Sequence, residues 1–327
     1  MLGVSVFICF PLIILTADAQ VGPLTQHFQD WLNNNGYGYY KFARLDLGNT
    51  GSYGGKKSID DPVKYNPVIF IHGNSDGALA IPGLYSSGWT NTIKYFESKG
   101  YTSAELYVTT WGDRKPADAH LNTHNCELIQ RLRAFVDAVM SYTGAELIDV
   151  ITHSMGVTLG RKIVRGGSLE DPEAPGFGCD VGPSLTAKVN TFIGISGGNY
   201  GMCTCSLNNE AIFPTCNSLN GFWPGDSCAD NAKCGDYPLP YPCPKGTKYS
   251  GFLNDLNNVR DPEGNFLYSI MSMDDDILRN QGMVWGRPTA IIPSSTQVKI
   301  FQNYTHMHTK ELTADLQYAM VTYHNVF

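Results

Sequence analysis

The sequence has little charge, no cluster of basic residues and no apolar run long enough to span a membrane. Charged residues make up 16% of the 327 residues, and 23 Lys and Arg against 30 Asp and Glu give a formal net charge of −7. Binding to a nucleic-acid backbone requires a concentrated basic surface, so this composition argues against that class of function. Because 43% of the residues are hydrophobic, the chain has enough apolar material for a folded core.

The longest apolar stretch, Leu2 to Thr16, is shorter than the roughly 20 residues that cross a bilayer as a helix. It is followed by Ala17-Asp18-Ala19, which has the small-x-small pattern of a signal-peptide cleavage site. We therefore expect residues 1–19 to be a secretory signal peptide cut before Gln20, although no Lys or Arg precedes the apolar stretch. The mature protein is expected to be secreted and extracellular.

After the predicted signal peptide, the cysteine content is a second indication that the protein folds in an oxidising compartment. Of nine cysteines, Cys9 lies in the predicted signal peptide, which leaves an even number of eight. We expect these to form disulfides, with up to four bridges whose pairing the sequence does not choose. The sequence Asn303-Tyr304-Thr305 is in addition a sequon that predicts a glycan if it is exposed.

Six of the eight remaining cysteines fall between Cys203 and Cys243, where prolines also crowd the second half of the segment. Such a segment cannot form a long helix or a central strand. We therefore predict that residues 199–250 form a disulfide-stapled insertion, and that it either caps a substrate pocket or is a surface excursion without substrate contact. Under the first interpretation its hydrophobic contacts would be Phe213, Phe222, Trp223 and Tyr237.

Strand and helix patterns alternate along the rest of the chain. The clearest helix runs from Cys126 to Tyr142, with apolar residues at helical spacing before a stop at Gly144. Short apolar runs, each of strand length, occur at Val68–Ile71, Glu105–Trp111, Leu147–Ile151, Thr191–Ile195, Phe266–Met271 and Val298–Phe301. We predict one domain over residues 20–327, with a mostly parallel sheet and helices on both faces.

The strongest chemical signal is Thr152-His153-Ser154-Met155-Gly156, between a predicted buried strand and a predicted helix. In that setting a serine lies on a strained strand-to-helix turn with its hydroxyl exposed. Thr152 stands where the general G-x-S-x-G pattern has its first glycine. The flanking strand and helix nevertheless favour Ser154 as a nucleophile over a structural turn.

A second signal precedes it, where the strand Val68–Ile71 ends in His72-Gly73-Asn74. A glycine-containing loop after such a strand presents a backbone N–H to the negative charge that develops on a carbonyl oxygen. We assign the two oxyanion donors to the backbone amides of Asn74 and Met155.

A serine nucleophile also needs a base that is oriented by a carboxylate. Where the serine lies on such a strand-to-helix turn, the three residues follow along the chain in the order Ser, acid, His. The histidines after Ser154 are His306, His308 and His324. His306 directly follows a predicted strand and precedes a helical stretch at Lys310–Tyr323, and His308 remains a competitor.

For the acid, Asp274, Asp275 and Asp276 follow the predicted strand Phe266–Met271. We choose Asp275 and interpret the other two as residues of a solvated turn. His306 and His308 could also chelate a metal as a pair, but no third ligand at suitable spacing accompanies them.

Taken together, these motifs resemble the class 2 lipases, a family of small secreted α/β-hydrolases. The resemblance rests on the His72-Gly73-Asn74 turn, Thr152 to Gly156, the strand that runs into Asp275, and His306-Met307. It implies an α/β-hydrolase fold with Ser154 as nucleophile, Asp275 as acid and His306 as base. In this family Ala or Thr commonly precedes His-Ser-Met-Gly, so Thr152 fits the family pattern. The cysteine-rich segment is absent from the compact bacterial relatives, so their substrate preference cannot be carried over.

The resulting hypothesis is a secreted serine hydrolase that cleaves carboxylic esters, with a triacylglycerol or another fatty-acyl ester as substrate, and a lipid–water interface as a possible setting. The reaction needs no metal or cofactor, and no segment indicates an obligate protein partner. The alternatives are a lysophospholipase or thioesterase-type acyl hydrolase, and a catalytically silent secreted binding protein on the same fold.

Overall fold

The computed structural model describes residues 21–83, 85–206, 210–225, 232–239, 249–258 and 261–326. The predicted signal peptide and two of the cysteines, Cys228 and Cys243, lie outside these ranges. Among the described residues, no helix is both long and apolar enough to cross a bilayer.

The centre of the described structure is a seven-stranded sheet in the order β1-β3-β2-β4-β5-β6-β7. All neighbouring strands are parallel except the edge pair β1 and β3, which is antiparallel. The strands are β1 (Ser52–Tyr53), β2 (Val68–Ile71), β3 (Leu106–Thr109), β4 (Ile148–His153), β5 (Val189–Ile195), β6 (Phe266–Ser272) and β7 (Gln297–Phe301).

The six predicted strands are all present in this sheet, which confirms the predicted fold class. The strand β1 was not predicted, because a two-residue edge strand leaves no periodic pattern. The predicted strand Glu105–Trp111 is too long, because β3 covers only Leu106–Thr109. Glu105 lies outside because its backbone N–H donates to the Thr102 carbonyl in a turn, and Trp111 lies outside because its backbone N–H donates to the His72 imidazole Nε2 and not to a neighbouring strand.

Helices cover both faces of the sheet, as predicted, because successive side chains of each strand point to opposite sides. On β2, for example, Ile69 and Ile71 belong to one core cluster and Val68 and Phe70 to the other. The helices are α1 (Gln26–Asn34), α2 (Thr90–Ser98), α3 (Cys126–Thr143), α4 (Met155–Arg165), α5 (Gly251–Asn258), α6 (His308–Glu311) and α7 (Ala314–Tyr323). Apolar residues of α1, α3, α4 and α5 pack in the first cluster, and those of α2 and α7 in the second.

The limits of α3 follow from its sequence. Asn125 caps the first turn by accepting the backbone N–H of Leu128, and Gly144 ends the helix in the left-handed conformation at φ 67°. The predicted helix at Lys310–Tyr323 is wrong as one element, because the chain forms α6 and then α7. Between them the Thr313 hydroxyl donates to the Thr309 carbonyl at 2.6 Å, a side-chain bond that competes with a continuous helical backbone.

Three disulfides join six of the cysteines in the described residues. Cys203–Cys234 and Cys205–Cys216 lie within residues 199–250, and Cys126–Cys179 ties the start of α3 to a short strand outside that segment. The described parts of residues 199–250 contain the short 3-10 turns Cys203–Cys205 and Pro214–Cys216. The segment leaves the sheet after β5, at the carboxyl end of the parallel strands.

Candidate active site

Ser154 lies between β4 and α4 in a strained backbone conformation, with φ 54° and ψ −127°. A positive φ is uncommon for a residue with a side chain and marks positions that the surrounding structure holds in place. Here the Ser154 N–H donates to the Ile195 carbonyl on the neighbouring strand at 2.8 Å. The serine side chain lines a cavity at the carboxyl end of the sheet.

Two glycines make the close approach around this turn possible. A Cβ atom on Gly156 would lie 2.3 Å from the Ile71 carbonyl oxygen, and one on Gly73 would lie 2.7 Å from the Cβ of Ser154. A third glycine accommodates the departure from the G-x-S-x-G pattern. A Cβ atom on Gly160 would lie 2.7 Å from the Thr152 methyl group. The absence of a side chain at Gly160 on α4 therefore leaves room for Thr152 on β4.

His306 follows β7, and its imidazole Nδ1 is 2.8 Å from Asp275 Oδ2 on the loop after β6. Both side chains are buried. The other carboxylate oxygen of Asp275 accepts the backbone N–H groups of Ile277 and Leu278 at 3.0 and 2.8 Å. Burial disfavours the charged carboxylate, but His306 and these amides outweigh it and hold the pKa of Asp275 below its usual value. An ionised Asp275 can orient the imidazole and stabilise its protonated form.

The neighbouring Asp274 and Asp276 are exposed at the turn after β6, as the sequence interpretation expected, but both also accept backbone hydrogen bonds. Asp276 Oδ1 accepts the backbone N–H of His306 at 2.8 Å, and Asp274 Oδ2 accepts that of Asn303 at 2.7 Å. These acids therefore anchor the loop that carries His306. His308 is exposed, and its ring accepts the Thr305 N–H at 3.4 Å. It does not line the cavity that contains Ser154 and His306.

His153 supports His306 from the other side. Its Nε2 is 3.1 Å from the His306 carbonyl oxygen, and the two rings are 4.7 Å apart. Burial, and then the neighbouring His306, lower the pKa of His153 well below its usual value. A neutral His153 that is protonated at Nε2 can donate to that carbonyl.

No hydrogen bond joins Ser154 Oγ to the His306 imidazole among the described contacts. Catalytic hydrogen bonds of unliganded enzymes are often long and tighten in the substrate complex. The assignment of His306 as base therefore depends on two observations: it shares the cavity with Ser154, and it is paired with Asp275.

The amides of Asn74 and Met155 both lie at this cavity. Neither backbone N–H has an acceptor within the part of the chain that the structure describes. The Met155 amide is also at the N-terminus of α4, where the helix dipole favours negative charge. These two unpaired donors are suited to bind an oxyanion.

His72 fixes the orientation of the Asn74 amide. It is fully buried and stacks on Trp111, whose backbone N–H donates to His72 Nε2 at 3.0 Å. The proton of the neutral ring is then on Nδ1, which donates to the Gly73 carbonyl oxygen at 2.8 Å. Because that carbonyl and the Asn74 N–H belong to one peptide plane, the bond holds both. Burial lowers the pKa of His72 to about 4, so the ring stays neutral near pH 7.

The cavity has a volume of about 410 Å³, within the usual range for small-molecule sites. One wall comes from the loops that carry Asn74, Ser154 and His306. The opposite wall comes from the cysteine-rich segment, through Met202, Thr204, Cys205, Phe213, Thr215, Cys216 and Phe222. Trp223 and Tyr237, which we expected to contact substrate, do not line it. No group of three or more His, Cys, Asp or Glu in the described ranges is arranged to hold a metal ion.

Comparison with known proteins bears on the family and the fold of this chain. The family model described as Lipase (class 2) matches residues 65–319. Lipase B of Aspergillus fumigatus is 13% identical with a TM-score of 0.50, over 83% of this chain and 56% of that one. The chain thus spans little more than half the length of that lipase. The mature lipase BlEst2 of Bacillus licheniformis is 11% identical with a TM-score of 0.48, over 84% of this chain and 100% of that one.

At these identities the structural likeness shows the α/β-hydrolase fold alone. The family match covers most of the sequence. The chain therefore belongs to the class 2 lipase family, and it is an enzyme of the carboxylic ester hydrolase class.

Proposed function

We propose that this protein is a secreted lipase or fatty-acyl esterase that works through Ser154, His306 and Asp275. The observation that carries the proposal is the buried hydrogen bond of 2.8 Å between His306 and Asp275 beside the cavity that Ser154 lines. A serine hydroxyl becomes a competent nucleophile only when a base accepts its proton, and the carboxylate holds that base in the correct tautomer.

In the proposed reaction His306 removes the Ser154 proton as the oxygen attacks the ester carbonyl. The backbone amides of Asn74 and Met155 bind the oxyanion, and His306 returns the proton to the departing alcohol. Water then attacks the acyl-enzyme with the same base, which releases the acid and the free serine.

The mainly apolar wall contributed by the cysteine-rich segment favours an acyl chain as the part of the substrate that lies there. Phe222 is buried against the core, whereas Phe213 is 37% exposed at the cavity. The neighbouring Ile212 is 59% exposed. We infer that the described part of residues 199–250 forms a stapled wall of the acyl site, with an apolar rim compatible with a lipid–water interface.

The direct test is hydrolysis of p-nitrophenyl esters of graded chain length by the wild type and by Ser154→Ala. We expect the wild type to be at least about 10³-fold faster, with the substitution leaving the fold intact. A wild type no faster than the variant would contradict the proposal and favour a silent binding protein. Lysophospholipids and acyl thioesters assayed in parallel separate the alternative acyl-hydrolase activities.

Secretion is a separate part of the proposal, supported by the three disulfides and by the predicted signal peptide. Expression in a secreting eukaryotic host and N-terminal sequencing of the released protein should give Gln20 as the first residue. Asn303 is exposed, so we expect the protein to carry a glycan there. A glycosidase should lower the mass of the wild type, and Asn303→Gln should lack this added mass. Retention of the whole protein inside the host cells would contradict this part.

A further inference from the structure

Two loops that are far apart in the sequence meet beside the cavity. The oxyanion loop, residues 72–77, follows β2, and what we call the base loop, residues 302–311, is the connection after β7 together with the short helix α6. In the proposed reaction the Asn74 amide and the His306 imidazole must act on one carbonyl group, so their relative position affects the rate. A displacement of about 1 Å in such a site can cost about 100-fold in rate.

A buried ion pair connects the two loops. Lys310 Nζ is 2.7 Å from Asp76 Oδ2. Lys310 is fully buried, and Asp76 is 2% exposed. Asp76 is two residues after Asn74 and lines the cavity. Lys310 is four residues after His306, about one helical turn.

A third segment closes this contact. The backbone N–H of Gly88 donates to Asp76 Oδ1 at 2.9 Å, and the Gly88 carbonyl accepts from Lys310 Nζ. The ammonium group also lies 5.3 Å from the centre of the Trp89 ring and 3.2 Å from a Glu311 carboxylate oxygen. Both charges are therefore hydrogen-bonded in a single geometry, which restricts how the two loops can move relative to each other.

Net stability is a poor explanation for this pair. The cost of removing two charges from water offsets most of their attraction, and well-packed apolar residues in the same place often stabilise a protein equally well. A second buried pair, Arg161 Nε with Glu263 Oε1 at 2.7 Å, shows that this chain can bury ions away from the cavity. What distinguishes the first pair is that its two partners belong to the two loops that carry Asn74 and His306.

We propose that Asp76 and Lys310 are a positioning pair that sets the spacing between the Asn74 oxyanion donor and the His306 base. The inference rests on the proposed function, because it assigns the pair to that reaction. Both residues act through Asn74 and His306 and not on the reacting atoms.

The test is the double variant Asp76→Leu/Lys310→Met, which removes both charges of the pair together, so that neither partner stays buried as an ion without the other. We expect it to fold and to unfold within a few degrees of the wild type. Its kcat for a p-nitrophenyl ester should fall about 10- to 100-fold, with KM changed less than about twofold, because spacing and not substrate binding is altered. The matched control is Glu263→Gln, which should lower the unfolding temperature and leave kcat per folded molecule unchanged.

A folded double variant with wild-type kcat would overturn the proposal. If the double variant does not fold, Lys310→Arg and Lys310→Met are compared per folded molecule, as measured by circular dichroism. We expect Lys310→Arg, which retains the charge, to have a several-fold higher kcat than Lys310→Met. Equal kcat values would also overturn the proposal. A wild type that hydrolyses no ester and reacts with no fluorophosphonate would instead refute the proposed function, and this inference with it.

Discussion

Two buried acids at the carboxyl end of the central sheet differ in pKa from Asp149 at its amino end. At the carboxyl end, Asp275 and Asp76 face His306 and Lys310, and these partners lower the pKa of both carboxyl groups although burial alone would raise it. At the amino end, Asp149 on β4 faces only neutral donors, among them the Thr191 backbone N–H at 2.9 Å. Burial there raises the pKa of Asp149 to about 7.

Similar burial thus leaves Asp76 and Asp275 charged, whereas Asp149 resists charging. The difference is whether the fold supplies a basic partner, as it also does for Glu263 with Arg161 outside the site. We interpret Asp76 and Asp275 as working groups of the site and Asp149 as a structural residue, and the predictions below test that contrast.

The largest expected effect is that of Asp275→Asn. An amide at this position cannot stabilise the imidazolium and favours the wrong His306 tautomer, so we expect kcat to fall about 10⁴-fold. Asp276→Asn, which keeps an oxygen that can accept the His306 N–H, should lose less than about tenfold. Steady-state kinetics on one ester compares the two, and equal losses would contradict the assignment of Asp275 as the acid.

The next effect is that of His72→Phe. Without the Nδ1 donor the Gly73 carbonyl is released and the Asn74 amide loses its fixed direction, so we expect kcat to fall about 100-fold, as for the loss of one oxyanion donor. His124→Phe is the matched control, because His124 is also fully buried with a pKa lowered to about 4 by burial. Both variants should lose stability. A kcat loss as large for His124→Phe would show that the effect is general loosening of the core.

Asp149→Asn should change stability and not activity. The folded pKa of about 7 lies above the usual value of 3.8, so the folded state holds more protons between these values, and the wild type loses unfolding free energy as pH rises through them. The amide stays neutral and keeps an acceptor for Thr191. From pH 4.5 to 8 the variant should gain roughly 2–4 kcal/mol over the wild type in urea unfolding. An advantage that shrinks as pH rises would contradict the assigned pKa shift.

The smallest effect concerns the acyl wall beyond the carboxyl end of the sheet. Phe213→Ala should raise KM about tenfold for long-chain esters and leave short-chain esters nearly unchanged, because only a long chain reaches this ring. Phe177→Ala, at a residue that is 77% exposed and outside the cavity lining, is the control. Equal changes for short and long chains would place Phe213 outside the acyl site.

Much of the fold was predictable because parallel strands leave unambiguous apolar runs. Val68–Ile71 is observed with the predicted limits, and Ser154 is found on the predicted strand-to-helix turn. The supporting contacts were not predictable. Nothing in the sequence around Asp276 indicates that it accepts the His306 N–H. Nothing near Lys310 indicates that its ammonium group reaches Asp76, 234 residues away.

The cavity wall of residues 199–250 could not be predicted for a related reason. Proline and cysteine content shows that a segment is irregular and cross-linked, but not which side chains face inwards. Phe213 and Phe222 line the cavity, whereas Trp223, which is equally apolar, does not. The long-range packing that decides this leaves no periodic pattern in the sequence.

The central claim is that Ser154 becomes nucleophilic at the carboxyl end of the sheet, and covalent labelling tests it most directly. The purified protein is treated briefly with a fluorophosphonate, digested, and analysed by mass spectrometry alongside Asp275→Asn. The account predicts one adduct, on the peptide that contains Ser154, formed far more slowly in the variant. Ester hydrolysis accompanied by an adduct on another residue, or by none, would contradict it.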